Sequence, residues 1–278
     1  MIEQITWEEY QNNRLLFGHV NTWALYDPNI SDIGKDTAAN NYFYRKETII
    51  ANTEKEFFQK GLDKKLKKNI VFLGLNFSYN LKALSEEDKY NEILNITDAK
   101  ERESKLRELL DVFPVSIFGR NYGELALGNN RGSGYLDGLL DNEDVLHGAY
   151  VTDLIKYDKG SDGIYYCSGV PESHGEEVSF SNIKGKEAIY SQVIGLKKEL
   201  DSMNVIKPII IPIHSSFKSK KIIKVFREVF GADGYYFAKT DLFHYSYRYK
   251  KKVELKKIYL QQLNDVANEV RNLTKKNE

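Results

Sequence analysis

The chain of 278 residues contains one cysteine, Cys167. No disulfide can form within it, and no four-cysteine metal or iron–sulfur site can be assembled. A lone thiol of this kind is expected to serve as a small buried apolar group. No apolar run approaches the ~18 residues of a membrane span. The opening residues Met1–Glu9 are polar and acidic, unlike a signal peptide. These absences point to a soluble, cytoplasmic protein. Net charge is also lacking: 40 basic and 40 acidic side chains cancel. That argues against a generic polyanion binder, although a local basic patch can still hold a phosphate backbone. There is no internal repeat or low-complexity tract. No phosphate-binding Walker loop, Gly-x-Ser-x-Gly elbow or dinucleotide fingerprint occurs. His19, His147, His174 and His214 lack metal-ligand spacing, and the acidic residues form no metal-dependent nuclease motif. Neither a metal nor a cofactor is expected.

Apolar residues make up 41% of the chain, enough to bury a core. Thr53–Lys68 reads as a Lys-rich helix with Phe57, Phe58, Leu62 and Leu66 inward. Ile70–Leu75 is a short continuous apolar run, the pattern of a strand covered on both faces, and Gly74 should end it. Lys82–Leu110 is charged and reads as helical. Phe113–Gly138 is rich in glycine and aromatics and reads as a long loop, of the kind that usually carries function. Ala149–Ile155 is a second strand, and Lys159–Gly175 is polar and expected to be exposed. Ile189, Val193, Leu196, Leu200 and Met203, spaced by threes and fours, predict an amphipathic helix over Lys186–Met203. Pro208–Ile213 is a third strand. Ser216–Phe230 is a helix with Ser215 or Ser216 as its cap and Gly231 as its stop. Tyr235–Ala238 is a fourth strand, and a Lys-rich helix over 250–275 closes the chain.

Strands alternating with helices predict a parallel, doubly wound α/β sheet of four strands in three α/β/α layers. Ligands bind such sheets at the carboxyl ends of the strands. Three segments occupy those ends: Gly74-Leu75-Asn76-Phe77-Ser78, Thr152-Asp153-Leu154-Ile155-Lys156, and Phe243-His244-Tyr245-Ser246-Tyr247-Arg248.

In that order and context the segments resemble the uracil-DNA glycosylase superfamily. Its first motif is a strand followed by Gly-x-Asn, Gly-x-Asp or Gly-x-Ala. Its second motif is a His-x-Ser or Asn-x-Ser loop after the last strand. Between them a strand ends on a base-reading Asn. The resemblance covers about 69–248. Trp23-Ala24-Leu25, Phe118-Gly119, Asn121-Tyr122 and Gly148-Ala149-Tyr150 are further points of similarity to bacterial glycosylase-like sequences. The chain departs from the family pattern at four places. Phe77 and Tyr245 stand where the motifs usually have Pro. Ile213-His214-Ser215-Ser216 replaces a usual Gly at the end of the third strand. Asp153 stands in place of the base-reading Asn.

The resemblance implies one domain over 1–278, with a core at about 54–249 and an insertion at about 82–145. It implies a monomeric, monofunctional DNA glycosylase that flips a damaged or modified base and hydrolyses its N-glycosidic bond, in repair or in defence against phage. Asn76 would orient a water, and His244 would donate to the departing base anion; a preorganised donor of this kind is worth roughly 3–4 kcal/mol. Gly74, Leu75, Phe77, Asp153, Phe118 and Tyr122 would contact the base. Ser78, Ser246, Tyr247, Arg248, Lys250 and Lys218 would hold DNA. His214 is a secondary candidate at the same sheet end. An ionised Asp153 only accepts hydrogen bonds, which favours an amino-bearing base over uracil. Alternatively, Asp153 pairs with Lys156 or another cation and reads nothing. The replaced motif residues also suit a second reading, a non-catalytic module of the same fold that binds nucleic acid, nucleotide or protein.

Overall fold

The computed structural model describes residues 2–23, 55, 58–59, 63–76, 87–111, 145–169, 186–213, 215–240, 242 and 252–275. The expected Phe113–Gly138 loop lies outside these residues. So do the contact candidates Phe77, Ser78, Phe118, Tyr122, His214, His244, Ser246, Tyr247, Arg248 and Lys250.

The first helix, α1 (Trp7–Phe17), begins at a capping box. The Thr6 hydroxyl accepts from the Glu9 amide, and the Glu9 carboxylate accepts from the Thr6 amide. β1 (Asn21–Trp23) follows. Where the helix was expected to reach Lys68, a short helical turn at Asp63–Lys65 is followed, after Leu66, by β2 (Lys67–Asn76). β2 is therefore longer than its apolar run. Lys67 and Asn69 are drawn into the strand by pairing rather than by hydrophobicity: Lys67 sits in register with Ala149, and the Asn69 side chain accepts from the Glu3 amide.

The charged segment after 82 contains two helices, α2 (Glu87–Leu94) and α3 (Ala99–Asp111). Asp98 separates them by accepting from the Lys100 and Glu101 amides, a side-chain cap that starts the second helix. β3 (Ala149–Ile155) matches the expected strand. The region from Lys159 is exposed at Lys159 and over 161–164, as expected, but it forms a small hairpin, β4 (Asp158–Lys159) with β5 (Tyr165–Tyr166), followed by buried Cys167, Ser168 and Gly169. The guanidinium of Arg102 organises this segment. It donates to the carbonyls of Ile96, Ser168 and Gly169, to the Ser168 hydroxyl and to Asp158. Those bonds compensate a cation with no exposed surface.

α4 (Lys186–Asp201), β6 (Ile209–Pro212), α5 (Lys220–Phe230), β7 (Tyr236–Phe237) and α6 (Lys252–Lys275) complete the order. The cap of α5 is Ser219, not Ser215 or Ser216. Ser215–Lys218 form a separate single 3-10 turn, and the Ser219 hydroxyl accepts from the Ile222 amide.

The main sheet runs β1-β3-β2-β6-β7. β3, β2, β6 and β7 are all parallel, as expected for the four predicted strands. The sheet has a fifth member that the sequence reading did not include: β1 pairs antiparallel with β3 at the edge, Asn21 opposite Thr152 and Trp23 opposite Tyr150. Parallel strands need both faces covered, and two apolar clusters do this. Ile70, Phe72, Ala149, Val151, Ile209 and Ile211 pack with Leu263, Val266, Ala267 and Val270 of α6. Val71, Leu73, Tyr150, Leu154 and Ile210 pack with Ile189, Val193 and Leu196 of α4 and with Ile222, Val225 and Phe226 of α5. Helices on both faces of a parallel sheet are compatible with three α/β/α layers. No helix among the described residues is long and apolar enough to cross a membrane.

Candidate functional site

The chain order and the spatial order of the strands part company at β2. The chain passes from β2 to β3 on one side, then returns to place β6 on the other side of β2. Crossovers that leave a strand in opposite directions open a crevice at its carboxyl end. Gly74, Leu75 and Asn76 form that end of β2, beside Pro212 and Ile213 at the end of β6. Ile213 is tied in by donating its amide to the Leu73 carbonyl, at 2.9 Å.

β3 supplies the polar wall. Gly74 pairs in register with Asp153, and Asn76 with Ile155. Strand alternation places Asp153 on the face of Val151, with Phe72 and Gly74 across the ladder. A Cβ on Gly74 would clash with Asp153 Oδ1. The absence of a side chain at Gly74 is thus the room in which the Asp153 carboxyl lies. Asp153 is the least buried residue of its strand, whose other members are closed off from solvent. Burial nevertheless pushes its pKa from the usual carboxylate range up to about 7; the Lys156 charge opposes that rise and the Glu199 charge adds to it. At neutral pH the group is divided between acid and carboxylate.

Lys156 does not serve as the partner of Asp153. Its ammonium pairs with Glu199 of α4, both side chains fully buried, and also donates to the Thr152 hydroxyl. Glu199 further accepts from the hydroxyls of Thr152 at 2.9 Å, Tyr150 at 3.1 Å and Tyr157 at 3.3 Å. Asn13 of α1 donates to the Tyr150 hydroxyl, and Asn21 of β1 donates to Asn13. Gln192 of α4 accepts from the Lys156 and Tyr157 amides and donates to the Tyr157 carbonyl. The β3 strand is therefore bolted to α4 on the face opposite Asp153. Among the described residues, no hydrogen-bond donor meets the Asp153 carboxyl.

This network was not anticipated from the sequence. The available signal was that Gln192 and Glu199 fall within the apolar stripe of α4, where an uncompensated polar group would be costly. Lys156, directly after an apolar strand, was the matching cation.

The structure brings Gly74, Leu75, the Asn76 backbone and Asp153 to one sheet end, as expected. Leu75 is buried in the α4 side of the core, so its side chain is a packing element. Lys218 is exposed in the turn after β6, and its ammonium donates to the Lys239 carbonyl. Lys220, Lys221, Lys224 and Arg227 line the exposed side of α5, opposite Ile222, Val225 and Phe226. Among the described residues, no group of three or more His, Cys, Asp or Glu side chains is arranged to hold a metal ion. Compared with protein families, curated proteins and solved structures, the chain matches none.

Proposed function

We propose that the chain is a monofunctional DNA glycosylase, of uracil-DNA glycosylase type, that removes a damaged or modified base, in repair or phage defence. The observation that carries this reading is the pairing of Gly74 with Asp153 and of Asn76 with Ile155, at the carboxyl end of β2, where the strand order reverses. A flipped pyrimidine presents hydrogen-bonding atoms along one edge, and a carboxyl beside a strand end is suited to read them. Hydrolysis of an N-glycosidic bond develops positive charge on the sugar and negative charge on the leaving base. The enzyme must stabilise the base anion more than it must supply a strong nucleophile. In this reading Asn76 orients the water and His244 donates to the base anion. The exposed cations of α5 and the Lys- and Arg-bearing segment after His244 would meet phosphates.

The competing reading, a non-catalytic module of the same architecture, draws on Phe77 and Tyr245 in place of motif prolines. A panel of oligonucleotides carrying single damaged or modified bases, scored for abasic sites, separates the two. The glycosylase reading expects at least one base to be released, with release lost in Asn76→Ala and in His244→Ala. No release from any member, with retained binding to the oligonucleotides, leaves the binding module.

A further inference from the structure

The carboxyl of Asp153 lies on Gly74 without a donor among the described residues, at the rim of an apolar sheet face. The nearest cation in sequence, Lys156, is held on the opposite face by Glu199 and Thr152. We propose that Asp153 reads its ligand as a neutral carboxylic acid: its O–H donates to a carbonyl, its C=O accepts from the adjacent N–H of a pyrimidine imide edge, and ionisation dismisses that ligand.

This rests on the nucleobase-binding reading above and names the state in which the site works. An amide side chain offers one donor beside one acceptor. A protonated carboxyl offers the same pair in the same plane, so Asp153 and an Asn would present equivalent edges to an imide. The ionised group keeps two acceptors and loses the donor, which sets it against the ligand carbonyl. The expectation that Asp153 favours an amino-bearing base over uracil starts from an ionised group. Burial removes that assumption, because it holds a large share of Asp153 neutral near pH 7.

Among the described residues, two charges act on the group. Lys156 on β3 lowers its proton affinity, and Glu199 on α4 raises it. β2 contributes Gly74 and Asn76, which carry no charge. On the same face α6 presents Leu263, Val266, Ala267 and Val270, while its Glu269 accepts from the Tyr236 hydroxyl and the Lys239 amide. The lysines of α5 lie on the other side of the sheet.

The test uses the full chain, free uracil as the probe, and two measurements. Carbon-13 NMR of the side-chain carboxyl follows Asp153, assigned by its disappearance in Asp153→Asn. Uracil binding is measured from pH 5.5 to 8.5 in wild type and in Asp153→Asn. The expected result is a carboxyl midpoint near neutrality and uracil affinity that falls about tenfold or more across the range. Asp153→Asn should bind uracil with a flat pH profile, because its donor never titrates. A midpoint in the ordinary carboxylate range overturns the proposal. So does a pH-dependent loss that persists in Asp153→Asn, or failure of wild type to bind uracil at any pH. A chain that binds uracil in the expected way yet releases no base from any oligonucleotide retires the glycosylase reading alone and supports the role given to Asp153.

Discussion

The Asp153 carboxyl occupies the space that a side chain on Gly74 would need, Oδ1 standing where a Cβ would clash with it. The contact joins the carboxyl ends of β2 and β3, beside the point where the strand order reverses.

Gly74→Ala should therefore cost about 1–3 kcal/mol, the range for forcing extra atoms into a packed site. The loss should shrink when Asp153 is shortened as well. Urea unfolding of Gly74→Ala, Asp153→Ala and the double variant measures the coupling. Additive losses would mean that the carboxyl is not what excludes the methyl group.

Asp153 also makes stability depend on pH. The folded group holds its proton up to about pH 7, well above its unfolded value. Between roughly pH 4 and 7 the folded state binds more protons than the unfolded one, so this residue's contribution falls as pH rises. Above pH 7 its full penalty is present. Asp153→Asn should raise the melting temperature more at pH 8 than at pH 5, by the equivalent of about 1–3 kcal/mol. Equal shifts at the two pH values would show an ordinary, exposed carboxylate.

His19 acts in the opposite direction. Burial holds its pKa down at about 3, and the Arg107 charge adds to that fall. Its Nε2 lies 2.8 Å from the Cys167 carbonyl oxygen, which the neutral ring can meet as a donor. As pH drops below about 6.5, the unfolded chain takes up a proton that the folded chain refuses, and stability declines toward pH 3. His19→Gln should flatten that part of the stability profile. Chemical denaturation at pH 4, 5, 6 and 7 reads it, and unchanged acid sensitivity would assign the loss to other groups.

The Lys156–Glu199 pair predicts an asymmetry between single and double changes. Glu199→Ala leaves a buried ammonium without its counterion and should cost about 3–5 kcal/mol. Lys156→Met with Glu199→Leu removes both charges and should cost less than the sum of the single changes. It will not be free, because the Thr152, Tyr150 and Tyr157 hydroxyls lose their shared acceptor. If the double variant loses the full sum of the Lys156→Met and Glu199→Leu single losses, the pair contributes nothing to holding β3.

Much of the scaffold can be read along the chain because its signals are local. Ala149–Ile155 is apolar and β-branched enough to be recognised as a strand, and its observed bounds coincide with the expected ones. The stripe Ile189, Val193, Leu196 and Leu200 marks α4 because a helix brings every third or fourth residue to one face. Gly231 stops α5 by adopting a φ of 83°, which side-chain-bearing residues rarely take. β1 was not legible, since Asn21-Thr22-Trp23 has no strand periodicity and becomes a strand only by pairing with β3. The helix expected to reach Lys68 failed for the same reason: Lys67 and Lys68 are recruited into β2 by their neighbours, not by their own preference.

Local pattern and residue chemistry thus determined the alternation of strands and helices, the parallel class of the sheet and the strand-end residues worth watching, because each depends on spacing within a few residues. Tertiary structure decided the strand order β1-β3-β2-β6-β7, the lodging of Asp153 against Gly74 and the commitment of Lys156 to Glu199. Those depend on residues that are 27 to 139 positions apart in the chain and meet only when the core closes. Closure also sets the proton affinity of Asp153, since desolvation is a property of the packed site and not of the aspartate.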